Sequence, residues 1–337
     1  MVSEAQKTTT DVTPDGIFQI ALGFMAAKHL FVASEIDLFG QLASGPITLD
    51  ALARRTGVSA RTVRISVDAM VALGLVERNG NQYWNAPAAA KYLSGQGVAD
   101  LRPILRFWNR ISYPTWVHLE EAIRSGQAPN RQGGGFSEAD QRIFSEGIGA
   151  FAAVPAEVLA VTCDFSKHRR LLDLGGGVGS FLLPVLRRHA GLQGTLFELP
   201  GAAAVARLHL DREPEGKRVE VVAGDFFKDP IPTGHDAIII ANVVHLFSPE
   251  HNRALFRGAR AAATPETRLL IVDMLTDPTH TQPVFAALAA GEYLLIAGEG
   301  DVYSKEELSE WLVDTGWQPL GATPLTGPTT LLVAEAK

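Results

Sequence analysis

The chain has 337 residues, enough for two or three domains with a sizeable core, and its 46% apolar content is ordinary for a globular protein. A net charge of −7 with a pI near 5.7 argues against an extended nucleic-acid-binding surface. The single cysteine, Cys163, excludes an internal disulfide and fits a reducing, cytoplasmic setting.

Residues 1–15 are polar, lack the apolar centre of a signal peptide and are expected to be a disordered leader. No apolar run is expected to reach the length of a membrane span. Residues 16–100 read as a small helical domain. Ile17 to Glu35 carries Ile20, Phe24, Ala27 and Phe31 at helical spacing, and Ile36-Asp37-Leu38-Phe39 leads into a short second helix. Thr48 to Ser59 reads as a capped helix, a turn and a second cap. Thr62 to Leu73 gives another helix, and Gly74–Arg78 with Gln82–Asn85 gives a hairpin. Helix–turn–helix followed by a hairpin is a winged helix, a frame that many DNA-binding proteins use. The second helix carries only Arg61 and Arg64, beside Asp68. Phosphate contacts dominate DNA affinity, so a basic face this thin disfavours DNA.

Residues 101–160 read as a helical connector. Phe107, Trp108, Tyr113 and Trp116 cluster aromatic surface, and Phe144, Gly147, Ile148 and Phe151 supply a second apolar face. Two readings stay open: packing between domains, or the walls of a flat apolar acceptor pocket. The pocket candidates are Phe107, Trp108, Trp116, Phe144 and Phe151. Gln132-Gly133-Gly134-Gly135 reads as a flexible break.

From residue 161 to 337 the pattern changes to an α/β domain. Leu171-Leu172-Asp173-Leu174 followed by Gly175-Gly176-Gly177-Val178-Gly179 reads as buried strand and tight turn, with a helix from Phe181. A dinucleotide site would cradle a pyrophosphate in this loop, and the carboxylate of Asp173 would repel it. The fingerprint G-x-G-x-x-G, counted from Gly175, also ends on Ser180. S-adenosylmethionine (SAM), with an ammonium and a sulfonium, suits an acidic loop. Glu198 ends the next strand, 25 residues after Asp173, where a carboxylate binds ribose hydroxyls. Gly224, Asp225 and Phe226 end the third strand and could frame adenine. Asn242 ends the fourth and runs into His245, and Asp273 ends the fifth. Polar groups gathered at the carboxyl edge of a doubly wound sheet mark a ligand site. His245 is the candidate general base, because a neutral hydroxyl is a poor nucleophile and imidazole can take its proton.

These residues carry a resemblance to SAM-dependent small-molecule O-methyltransferases, the caffeate- and acetylserotonin-type plant enzymes and the bacterial polyketide-tailoring enzymes. The carrying segments are Asp173–Gly179, Glu198-Leu199-Pro200, Gly224–Phe227, His245 with Ser248-Pro249-Glu250, and Tyr303–Leu308 through Gly316-Trp317. The resemblance covers most of the chain. It implies a Rossmann-like SAM-binding domain behind a winged-helix domain that pairs two subunits, hence a homodimer acting on a small-molecule acceptor. It also implies that His245 is the base, oriented by Asp273 and by a second acid, for which Glu299 is the candidate. The chain departs from the family in three places. Leu246-Phe247 stand where many members have Asp-Trp, Asp273 is shorter than the usual glutamate, and Val302 occupies the second acid's aligned position.

Three functions are therefore weighed. The first is O-methylation of a phenolic or enolic small molecule in secondary metabolism. The second is C-methylation, or a rearrangement without methyl transfer, on the same SAM-binding scaffold. The third is a ligand-sensing DNA-binding regulator. No metal is expected, because His245 and Asp273 lack a clear third ligand, Glu292 and Glu299 being only candidates. Neither a nucleic acid nor a membrane is an expected partner.

Overall fold

The computed structural model describes residues 13–97, 99–129 and 137–337, so most of the leader and the Gln132–Gly135 loop lie outside the described residues. The chain divides into two compact units, Met1–Arg106 and Phe107–Lys337. The connector expected over 101–160 is therefore split, with all but its first six residues belonging to the second unit.

The first unit opens with α1 (Asp15–Glu35), then α2 (Leu38–Gln41), β1 (Ile47–Thr48), α3 (Leu49–Thr56) and α4 (Ala60–Ala72). The hairpin β2 (Val76–Asn79) and β3 (Gln82–Asn85) follows, then α5 (Pro87–Tyr92) and α6 (Arg102–Phe107), which ends at the boundary. Thr48 and Ser59 cap α3 and α4 by accepting the N–H of Ala51 and Thr62. The three strands form a small antiparallel sheet in the order β1-β3-β2, completing the winged helix. Arg64 of α4 and Arg78 of the wing both pair with Asp68, at 3.0 and 3.2 Å, which thins the basic face further.

The expectation about membrane-length runs needs correcting. By length and composition alone, α1 and the stretch Ala139–Thr162 are each apolar enough to cross a membrane, with mean hydropathies of 1.5 and 1.4. Polar residues such as Gln19, Lys28 and His29 interrupt α1 without offsetting the rest of it. Ile17, Phe18, Ile20 and Phe24 of α1 lie exposed on the single chain.

The second unit begins with short helices, α7 (Tyr113–Thr115) and α8 (Leu119–Ser125), and the long α9 (Glu138–Thr162). Strands and helices then alternate: β4 (Arg170–Leu174), α10 (Leu182–Arg188), β5 (Gln193–Glu198), α11 (Pro200–Leu210), β6 (Val219–Ala223), β7 (Ala237–Ala241), α12 (Pro249–Ala262) and β8 (Arg268–Met274). After α13 (Val284–Ala297) and α14 (Lys305–Asp314), β9 (Trp317–Thr326) and β10 (Thr329–Ala336) close the sheet. The strand order is β6-β5-β4-β7-β8-β10-β9, parallel through β8, with β10 antiparallel to both its neighbours.

Side chains of a strand alternate between faces, so each buried strand feeds two cores. Leu172, Leu174, Ile238 and Ile240 pack on one face with Leu255 and Phe256 of α12 and Leu308 and Trp311 of α14. Leu171, Leu196 and Ile239 pack on the other with Ala156 and Leu159 of α9 and Val185 of α10. The chain winds outward from β4 to β6, then returns to the far side of β4 as β7. That reversal opens a crevice between the carboxyl ends of β4 and β7, the place where open α/β sheets bind ligands.

Candidate active site

The glycine turn after β4 is built around Asp173. Its carboxylate is fully buried, and among the described residues neither oxygen has a hydrogen-bond partner. Burial, with Glu198's charge as a second cause, pushes its pKa up to about 7. A buried carboxylate without partners is costly unless a ligand supplies them. The turn needs glycine at Gly175 (φ 70°), where a Cβ would stand 3.0 Å from Val243 across the crevice. Gly175 donates its N–H to the carbonyl of Phe197 at 2.8 Å, tying the turn to β5.

Glu198, at the end of β5, accepts the N–H of Gly177 at 3.1 Å and of Leu199 at 2.7 Å. Burial raises its pKa, and those two hydrogen bonds oppose the shift. Gly224 donates to the Glu198 carbonyl at 2.9 Å, and a Cβ there would come 2.6 Å from the Phe197 ring. Asp225 accepts from Lys228 Nζ at 2.8 Å and from the Phe227 N–H at 3.0 Å, which together hold its pKa down. Phe226 sits edge-on to Phe227 and Phe247, with centroids 4.7 and 5.8 Å away. Phe247 thus joins this aromatic group.

Asn242 ends β7 in the left-handed region (φ 56°), its N–H bonded to the Val272 carbonyl at 2.8 Å. The chain then makes a single turn, Val244–Leu246, that carries His245. Four bonds pin the turn. Asn252 of α12 donates to the carbonyls of Val244 and Phe247 at 2.8 and 2.9 Å, and the Tyr303 hydroxyl donates to Phe247's at 2.6 Å. Asp301 donates its N–H to the carbonyl of His245 itself, at 3.1 Å.

His245 is buried, and its Nδ1 lies 2.6 Å from Oδ1 of Asp273, which is buried at the end of β8. The same oxygen accepts the N–H of Met274 at 2.8 Å. Against an ionised Asp273, Nδ1 carries the proton and Nε2 keeps a lone pair. That is the arrangement a general base requires. Among the described residues, no group of three His, Cys, Asp or Glu is arranged as a metal site.

Glu299 does not join His245. Both of its carboxylate oxygens lie 2.8 Å from Nδ1 of His251, on α12. The expected second acid is corrected accordingly: the loop after α13 turns Glu299 toward α12, and the segment reaches His245 through the backbone N–H of Asp301 instead.

Of the pocket candidates, Phe107 and Phe144 meet edge-to-face at 5.6 Å. Trp116 lies against α13, donating its indole N–H to Glu292, which also accepts from Ser112 Oγ at 2.8 Å. Trp108 and Phe151 are half-buried. Sequence reasoning missed Tyr293, whose ring stacks on His245 with centroids 3.9 Å apart and planes at 26°. One signal was available, since Glu292 is the single charged residue in the apolar run Val284–Ala297.

Comparison with known proteins identifies the family. A family model described as an O-methyltransferase domain matches residues 116–318, and one described as an O-methyltransferase dimerisation domain matches residues 18–95. The tetracenomycin polyketide synthesis 8-O-methyl transferase TcmO of Streptomyces glaucescens is 32% identical, covering 96% of each chain. The 3-hydroxy-5-methyl-1-naphthoate 3-O-methyltransferase of Streptomyces sahachiroi is 31% identical, over 94% of this chain and 92% of its own. The solved structure of PigF with S-adenosylhomocysteine superposes with a TM-score of 0.85 at 26% identity, covering 96% of this chain and all of its own.

Proposed function

The chain belongs to the family of SAM-dependent O-methyltransferases, and from that premise we propose that His245 is the base in methyl transfer to a phenolic or enolic hydroxyl. The observation carrying the proposal is the buried His245–Asp273 pair, at the strand ends beside the glycine turn. The partnerless carboxylate of Asp173 fits the cofactor, because an ammonium would supply the donors it lacks. Glu198 would hold the ribose hydroxyls, and Gly224, Asp225 and Phe226 the adenine, with Gly175, Gly177 and Asn242 shaping the wall. When bound, SAM supplies an electrophilic methyl group on its sulfonium. The chain's own work is then to generate the nucleophile. His245 takes the acceptor's hydroxyl proton at Nε2, while Asp273 holds Nδ1 and balances the charge of the protonated ring.

The relatives named above act on a tetracenomycin polyketide and a hydroxynaphthoate. Flat, hydroxylated fused aromatics of secondary metabolism are accordingly the acceptor class, with Phe107, Phe144 and Trp116 as apolar walls. We assign the exposed face of α1 to the homodimer, because the dimerisation match covers it. The setting is the cytoplasm, with neither nucleic acid nor membrane as a partner.

Purified protein incubated with methyl-labelled SAM and a set of hydroxynaphthoates and hydroxyanthraquinones tests the reading. A labelled methyl ether, with one S-adenosylhomocysteine released per turnover, is the expected result. Label on carbon, or tight SAM binding with no release on any acceptor, would instead favour the C-methylating or rearranging alternative.

A further inference from the structure

Asp273 alone under-determines His245. One hydrogen bond fixes Nδ1 but leaves the imidazole free to swing about the Nδ1–Oδ1 line, carrying Nε2 off the acceptor. The stacked ring of Tyr293 removes that freedom, lying nearly parallel to the imidazole at a centroid distance of 3.9 Å. We propose that Tyr293 is a positioning residue for His245, whose phenol face fixes the imidazole plane and stabilises the ring after it has taken a proton. An aromatic face attracts a cation through its quadrupole, and a neighbouring imidazolium is such a cation.

Two further observations separate this role from simple packing. The contact Tyr293 offers His245 is through the ring, face to face with the imidazole. Burial, then the charges of Asp273 and Glu292, push its ionisation well above the ordinary tyrosine range. Tyr293 therefore stays a neutral, electron-rich ring and does not compete with His245 for the acceptor's proton. Among the described residues, Asp273 from β8 and Tyr293 from α13 touch the imidazole, Glu292 acts on Tyr293 from the same helix, and Asp301 bonds the backbone carbonyl of His245. Glu299 and His251 are paired with each other.

The inference rests on His245 being the base, and the test keeps the two apart. Histidine-labelled protein with bound S-adenosylhomocysteine is titrated by nitrogen NMR, which needs no acceptor, and the acid limb of the rate profile is measured with an accepted hydroxynaphthoate. Tyr293→Phe should match the wild type in both. In Tyr293→Leu the His245 titration and the acid limb should move to lower pH by roughly half a unit or more, with kcat falling more than KM changes. If Tyr293→Leu fails to fold, Tyr293→Met fills the space with a flexible, unbranched side chain that has no aromatic face and should show the same shift. A leucine or methionine variant that loses rate with neither quantity moving would reduce Tyr293 to packing and overturn the proposal. So would Tyr293→Phe losing as much as Tyr293→Leu, because the hydroxyl would then be the active part. Failure of the base reading looks different: the acid limb would survive in the residual activity of His245→Gln.

Discussion

The two halves of the active site are built on different terms. The cofactor side is local: Asp173, the glycine turn and Glu198 lie at the ends of adjacent strands, and the turn bonds Glu198 and Phe197 through its backbone N–H groups. The catalytic side is assembled at a distance, His245 meeting Asp273 across 28 residues and the stacked ring of Tyr293 across 48. A local site tolerates loss of one group as loss of affinity. A site assembled from distant turns should lose rate instead, because its geometry is what it contributes.

The largest effect expected from this contrast is in His245→Ala. Removing a general base costs about 10²–10⁴ in rate, and SAM affinity by calorimetry should hardly change. An equal loss of SAM binding would erase the distinction between the two halves. Asp273→Asn should follow at roughly 10²-fold in kcat, since an amide neither fixes the Nδ1–H tautomer nor balances the charge of a protonated ring. Retention of wild-type kcat there would show that the pinned turn alone orients His245.

The same contrast decided what could be read from the sequence. The strand–turn–helix at Asp173 and the strand-end acids are contiguous signals, and the structure brings them to one edge of the sheet. The edge hairpin β9–β10 was not legible. Pro319 and Pro324 within β9 disguise a strand whose identity depends on pairing with β10. Glu299 was misassigned because adjacency to the family's position stood in for direction, and the loop turns its side chain to His251. The lone charge of Glu292 marked α13, but the stacking of Tyr293 depends on the phase of that helix against the His245 turn, which no local pattern encodes. Trp116 and Glu292 meet for the same long-range reason.

On the cofactor side the effects are smaller and should fall on binding. Glu198→Ala removes a carboxylate from the expected ribose contacts and from the bonds to Gly177 and Leu199. A lost charged hydrogen bond is worth about 1.5–3 kcal/mol, so SAM should bind roughly ten- to a hundredfold more weakly. Turnover at saturating SAM should change little. Unchanged affinity would remove Glu198 from the site.

The last effect, a pH dependence, is the most diagnostic of Asp173. Its carboxyl is held up near 7 in the free protein, whereas an unfolded aspartate titrates near 3.9. Between about pH 4 and pH 7 the folded state therefore holds a proton that the unfolded chain does not. Stability should fall as pH rises through that window, and Asp173→Asn should flatten the dependence. The same proton bears on ligand binding. An ammonium beside Asp173 favours the ionised form, so SAM should expel the proton when added below pH 7. Affinity would then rise with pH by at most about tenfold per unit up to about pH 7, and level off above it. Calorimetry at pH 6 in buffers of different ionisation enthalpy measures that release directly. Proton release by the wild type and none by Asp173→Asn would place the cofactor's cation on this carboxylate. Equal release by both would mean that the buried charge belongs to the turn and that the ammonium is held elsewhere.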